Sequence, residues 1–282
     1  MKGVLCFLFF LSTAALAVYT ETDQLSLAKR LDWQDGALSL DIRLDIPPEE
    51  RILPKTRYLA ESSVQQRLPA LFIESVLDIL VDSLSTVGER IRGDEALLQE
   101  LIDLALGGSK KHFAYFSRDF RQIHIRYEFP FFGDQGLITP FIEHTRPFPM
   151  RRFLGFEPSR AYTGLVIFAK GLFPAHGKRG TERINAAFFP RLYDEEMNLI
   201  LSAEMCEPES LKKWGLAGYT DSVDVDRFEE RVGLFPLKTM ARGVFGKNST
   251  DILIPNDVAR KLLSREANHN LLSQGRILII LD

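Results

Sequence analysis

Along residues 37–46 (ALSLDIRLDI) apolar and polar positions alternate. Leu38, Leu40, Ile42, Leu44 and Ile46 fall on one side and Ser39, Asp41, Arg43 and Asp45 on the other. This is the period of a half-buried strand, and Pro47-Pro48 stops it. The period then changes. From 58 to 84 Leu59, Val64, Leu68, Leu71, Phe72, Val76, Ile79, Leu80 and Leu84 recur at helical spacing, which predicts the main core helix, kinked or divided at Pro69. A second helix is predicted from Asp94, a good N-cap, to Gly107-Gly108, where left-handed backbone costs least. Two extended segments follow at 112–116 and 122–129, the latter with Ile123, Ile125 and Tyr127 on one face and His124, Arg126 and Glu128 on the other.

The second half reads as strand-rich. Strands are predicted at 164–172 and 186–193, a hairpin turn at Asp194-Glu195-Glu196 leading into 197–201, and further strands at 237–244 and 251–254. A short helix capped by Asn256 follows, with Val258, Ala259, Leu262 and Leu263 as its buried stripe, and the run from Gly275 through Ile277-Leu278-Ile279-Ile280 to Leu281 predicts a fully buried closing strand. The expected class is α+β in two layers: a helix-rich α/β domain over 18–145, a linker over 146–162, and a strand-rich domain over 163–282. The linker is assigned on Pro147, Pro149 and Pro158 and its charges.

Residues 1–17 (MKGVLCFLFFLSTAALA) pair Lys2 with an apolar stretch and an Ala15-Leu16-Ala17 site, the pattern of a cleavable signal peptide, so the mature chain is expected to begin at Val18. No later segment is apolar for long enough to span a bilayer. The expected location is therefore periplasmic or outer-membrane-associated. Cys6 does not directly follow a cleavage-type tripeptide, which argues against a lipid anchor, and Cys206 is then the single thiol of the mature chain, expected to pack as a small hydrophobe.

Charge excludes one class of partner. Lys and Arg number 35 against 38 Asp and Glu, for a net charge of −3, leaving no positive excess to condense on nucleic acid. Candidate chemistry is sparse. The turn Gly246-Lys247-Asn248-Ser249-Thr250 departs from a phosphate-binding loop, since Ala241 stands where the first glycine is needed and Asn248 where a hydroxyl should hold magnesium. The same turn contains the sequon Asn248-Ser249-Thr250. His112, His124, His144, His176 and His269 never fall at metal-ligand spacing, and no nucleophile elbow is present. No cofactor or metal is expected. One constellation stands out: Arg146, Arg151, Arg152 and Arg160, interleaved with Phe148, Phe153, Phe156 and Tyr162, form a candidate anion or partner surface.

The runs TGLVIFAKGLFPA (163–175) and AAFFPRLYDEEMNLI (186–200) resemble secreted bacterial flagellar outer-membrane proteins of the P and T type, in which a strand ending near glycine precedes a proline-basic-aliphatic strand and an acidic turn. ARGVFGKNSTDILIPNDVARKLL (241–263) and RILIILD (276–282) are similar to the closing elements of that group. The resemblance implies a non-enzymatic envelope protein that packs with itself or with other envelope proteins, in peripheral contact with a membrane and around the flagellar motor. The rival expectation is a periplasmic hydrolase or ligand-binding protein whose site forms only on folding, for instance around Arg151, Arg152 and the pair Glu143-His144.

Overall fold

The computed structural model describes residues 17–18, 25–49, 51 and 55–282. The expected signal peptide lies outside the described residues except at Ala17.

The first half is one antiparallel sheet under helices. Its strands are β1 (Ala17–Val18), β2 (Leu25–Asp32), β3 (Ala37–Asp45), β4 (Lys110–Phe116) and β5 (Gln122–Pro130), in the order β1-β2-β3-β5-β4. Register places apolar residues in rows across the sheet: Leu27 faces Ile42, which faces Ile125, and Leu38 faces Phe129. That buried face is covered by α1 (Thr56–Val76), through Val64, Leu68 and Phe72, and by α3 (Glu95–Gly108), through Leu101 and Ala105. Between them runs the single turn and a half of α2 (Val87–Ile91), whose N-cap Thr86 and Glu89 form a capping box.

Pro69 does not divide α1, which runs through it without a break. Gln65, whose carbonyl loses its helical donor to the proline ring, is an exposed residue, on the side of the helix where the missing bond costs least. The predicted cap of α3 forms, the Leu97 amide donating to Asp94 Oδ1 at 2.9 Å.

The second half builds two small sheets from β6 (Leu165–Phe168), β7 (Phe173–Pro174), β8 (Thr181–Glu182), β9 (Leu192–Asp194), β10 (Leu199–Leu201), α4 (Pro208–Trp214), β11 (Gly218–Thr220), α5 (Glu229–Val232), β12 (Leu237–Met240), β13 (Gly243–Phe245), β14 (Asp251–Ile254), α6 (Asn256–Leu263), α7 (Glu266–Ser273) and β15 (Ile277–Ile280). One sheet, in the order β11-β15-β6-β12, is parallel throughout; the other, β10-β9-β14-β13, is mixed. The pair β7-β8 stands apart. A parallel strand covered on both faces must be apolar along its length, and all four residues of β15 are fully buried. The architecture is α+β, and the first half owes as much to its sheet as to its helices.

Four predicted elements differ. The helix expected to run to 84 ends at Val76, so that Ile79, Leu80 and Leu84 lie beyond it. The strand expected over 237–244 is two strands in different sheets, because at Ala241 the amide still donates to Phe168 while at Arg242 it already donates to Leu253. The strand expected over 186–193 is ladder-paired only from Leu192; Phe188 and Phe189 instead donate to the carbonyls of Leu80 and Val81, lashing this run to the first half. Asn256 does not cap its own helix. Its side-chain oxygen accepts from the Glu195 amide at 3.0 Å, and Glu195 Oε2 in return accepts from the Asn256 amide at 3.1 Å, so the acidic hairpin turn caps the helix from outside.

The two halves share one hydrophobic core. Trp33, in the β2–β3 turn, makes edge contacts with Phe131 of its own half and with Phe188 and Tyr219 of the other. The run 146–162 has neither helix nor strand and is fastened to the second half: the amides of Phe148, Phe153 and Tyr162 donate to Glu204, Leu263 and Asn268, and Glu157 pairs with Arg260 at 3.1 Å.

Candidate functional site

Where the halves meet, a cleft of about 280 Å³ opens between the segments following α1, the stretch 141–148, and the approach to β9. The Asp82 side chain sets its floor. Its Oδ1 accepts from the amides of Leu84 and Ser85, both at 2.8 Å, and its Oδ2 from Arg90 at 2.9 Å. Burial pushes this carboxyl up, but those donors and the Ser85 hydroxyl outweigh it and hold it below the ordinary carboxylate range. Arg90 is fully committed, reaching Glu143 at 3.2 Å and the Ser85 hydroxyl at 2.9 Å as well. His144 is also fixed: its Nε2 donates to the Cys206 carbonyl at 2.8 Å.

Arg191 sits opposite in a different condition. Its backbone amide donates to Asp251 Oδ1 at 3.0 Å. Burial opposes its charge, while the Tyr193 hydroxyl and the charges of Asp251 and Glu204 outweigh that opposition and keep it protonated. Glu204 is pushed up by burial but held down overall by the Ser202 hydroxyl, its own amide, Arg191 and His144. Asp251, at the head of β14, is fully buried with Oδ2 lacking a partner among the described residues, and burial, reinforced by nearby Asp82, raises its pKa despite Ser83 and Arg191. Phe141, Phe148 and Phe189 complete the cleft with an apolar wall.

Of the residues singled out in the sequence, Glu143, His144 and Phe148 line this cleft and Arg151 and Arg152 do not. Arg146, Arg151, Arg152 and Arg160 are all exposed along the fastened run, where Leu154 and Phe156 stand 96% and 92% exposed. Arg160 lies over the Tyr162 ring at 5.2 Å; for Arg146, Arg151 and Arg152 no carboxylate partner lies within ion-pair distance among the described residues. Sequence reasoning missed Asp82, Arg90, Arg191 and Asp251. The available signal was position: Arg191 follows Pro190 at the mouth of a strand, and Asp251 leads one.

Among the described residues that line the cleft there is no serine, threonine or cysteine. Cys206 is fully buried with its thiol aimed at the carbonyls of Ser202 and Leu272, and burial holds it protonated. Among the described residues no three His, Cys, Asp or Glu side chains converge on a metal position, and no helix is long and apolar enough to cross a membrane.

These features define a class of chain: an antiparallel sheet under helices, fused through a common core to a parallel-stranded unit, with a polar cleft at the junction. Residues 24–134 match the family model of the Treponema pallidum Tp0624 N-terminal domain, and residues 164–282 match that of the Treponema pallidum Tp0624 second domain. The two matches fall in the order of the domain names and leave between them a stretch that contains the run 146–162. Neither model is of a flagellar P- or T-type protein. No curated protein matches the chain.

Proposed function

We propose that this protein is a non-enzymatic structural or assembly component of the cell envelope, exported to the periplasm, that docks onto neighbouring envelope proteins or onto copies of itself. One observation carries the reading. The run 146–160 presents Leu154 and Phe156 to solvent among Arg146, Arg151 and Arg152, none of which has a carboxylate partner among the described residues, on a backbone tied to the second half. Apolar side chains held out beside unpaired guanidinium groups supply the two things a docking surface needs: area that gains by leaving water, and charge that selects an acidic partner. The leader-like pattern of 1–17 supports export. Placement beside the outer membrane or the flagellar motor is the narrower form of the proposal and rests on the resemblance of 163–282.

Fractionating native cells and following the protein by immunoblot tests this. Sedimentation with a large envelope particle, lost to a small soluble periplasmic species when Arg151→Glu and Arg152→Glu are combined, is the expected result. Recovery of the unaltered protein as a soluble monomer overturns it. A ligand-binding function is the second reading, favoured by the cleft at Arg191.

A further inference from the structure

The cleft contains a positive charge that has no ion pair among the described residues. The Arg191 guanidinium is half-buried and lines the cleft, and among the described residues no carboxylate oxygen lies within ion-pair distance of it. Asp251 and Glu204 bear on it only from farther away. Its neighbour Arg90 shows what a satisfied guanidinium looks like here, engaged with Asp82, Glu143 and Ser85. A guanidinium offers a planar fork of donors that matches a carboxylate, and taking it partly out of water without a counter-ion carries a cost that a bound anion removes.

The walls narrow the choice of anion. Phe141, Phe148 and Phe189 give the cleft an apolar side, and at about 280 Å³ it lies just below the usual size of ligand-binding cavities, about 300 to 1,000 Å³, so only a small ligand fits. Asp82, Glu143 and Glu204 also line it; Arg90 answers the first two, so Arg191 is left to match one further negative charge and a second is repelled. We propose that this cleft binds a small organic monocarboxylate, with Arg191 receiving the carboxylate and the three phenylalanines receiving an apolar body. This does not depend on the docking proposal, which concerns the outer face of 146–160.

The test uses the full chain titrated with 3-phenylpropionate at neutral pH by calorimetry and NMR, with 3-phenylpropanamide, succinate and inorganic phosphate as comparisons. Saturable binding of the monocarboxylate is expected, at least tenfold tighter than of the neutral amide, the dicarboxylate or phosphate. Arg191→Met should weaken it at least tenfold, and Arg191→Lys less. Because Arg191 also abuts the buried Asp251, Phe148→Ala provides an independent variant on a half-open wall, expected to lose several-fold with the fold intact by circular dichroism. Equal binding of acid and amide, phosphate binding as tightly as the acid, acid binding unchanged in folded Arg191→Met or Phe148→Ala, or no saturation by about 10 mM each overturns the proposal.

Discussion

The hydroxyl of Tyr219 satisfies both peptide groups of Ala187 at once, accepting from its amide at 3.1 Å and donating to its carbonyl at 2.8 Å. The phenol is buried, and burial raises its pKa, so it stays neutral and keeps the proton it donates. It does for the 186–191 run what a neighbouring strand would have done. Tyr219→Phe strips both groups of their partner without changing the packing against Trp33, and should cost about 1–3 kcal/mol in urea unfolding. A cost within experimental error of zero would mean that water replaces the hydroxyl.

Arg231 holds two chain turns together from inside. Its Nε donates to the Gly275 carbonyl at 3.1 Å and its Nη2 to the Gly215 carbonyl at 3.0 Å, at the ends of α7 and α4, where carbonyls lack helical partners. Burial lowers its proton affinity well below the ordinary value. Both glycines have positive φ, and a Cβ on Gly275 would stand 2.5 Å from the Gly215 oxygen. Arg231→Ala leaves both carbonyls bare and a void, with an expected loss of about 2–4 kcal/mol. Arg231→Lys should recover only part, since one ammonium lacks the two-armed reach; full recovery in denaturant titration would show that charge alone matters.

Asp82 and Asp251 should shape the acid side of the stability profile in opposite senses. Asp82 titrates below its ordinary value of 3.8 when folded, so its contribution is complete above that pH and disappears as pH falls through the folded pKa. Asp251 titrates above 3.8 when folded, so the native state binds its proton more tightly and stability is lost as pH rises through the folded pKa. Relative to wild type, Asp251→Asn should therefore gain as pH rises above 3.8, and Asp82→Asn should lose over the range where the wild-type carboxylate is ionised. Paired melts across pH decide it, and parallel pH profiles for Asp251→Asn and wild type would contradict the assignment.

The turn that superficially matched a phosphate loop is a clasp between the halves. Lys247 pairs with Glu89 at 2.6 Å, and Asn248 donates through its amide to Ser83 at 3.0 Å and through its side chain to Asp82 at 3.2 Å. Gly246 has φ +95°, and a Cβ there would meet the Ser83 Cβ at 2.4 Å. Gly246→Ala should cost about 2 kcal/mol or more by thermal unfolding, and proteolysis should cut faster in the loop carrying Ser83. Unchanged cleavage there would deny the clasp its role.

Where one periodicity governed a segment, the element was legible: β3, α3, β14 and the buried stripe of α6 follow from spacing alone. β2 was not, because Lys29 and Arg30 interrupt LSLAKRLD. Lys29 nonetheless occupies the buried row opposite Leu40, its ammonium reaching the Ser75 carbonyl and Asp78. α7 was hidden for a similar reason. Its EANHNLLS carries the fully buried Asn268, whose side chain donates to the carbonyls of Arg160 and Lys261 and accepts from the Tyr162 amide. The split at Ala241 was not marked by a turn residue, since neither 241 nor 242 is a glycine or proline and only the hydrogen-bond partner changes there. Glu143 and His144 were visible as a pair, but Arg191 was one arginine among many until folding placed it at the cleft, with no ion pair among the described residues.

Cys206 gives the molecule an internal clock for its own opening. With the sulfur shut away between the Ser202 carbonyl and α7 and held as the thiol, a thiol-directed reagent reaches it only when the surrounding chain opens, so the speed of labelling, where it outpaces reclosing, reads the frequency of that event.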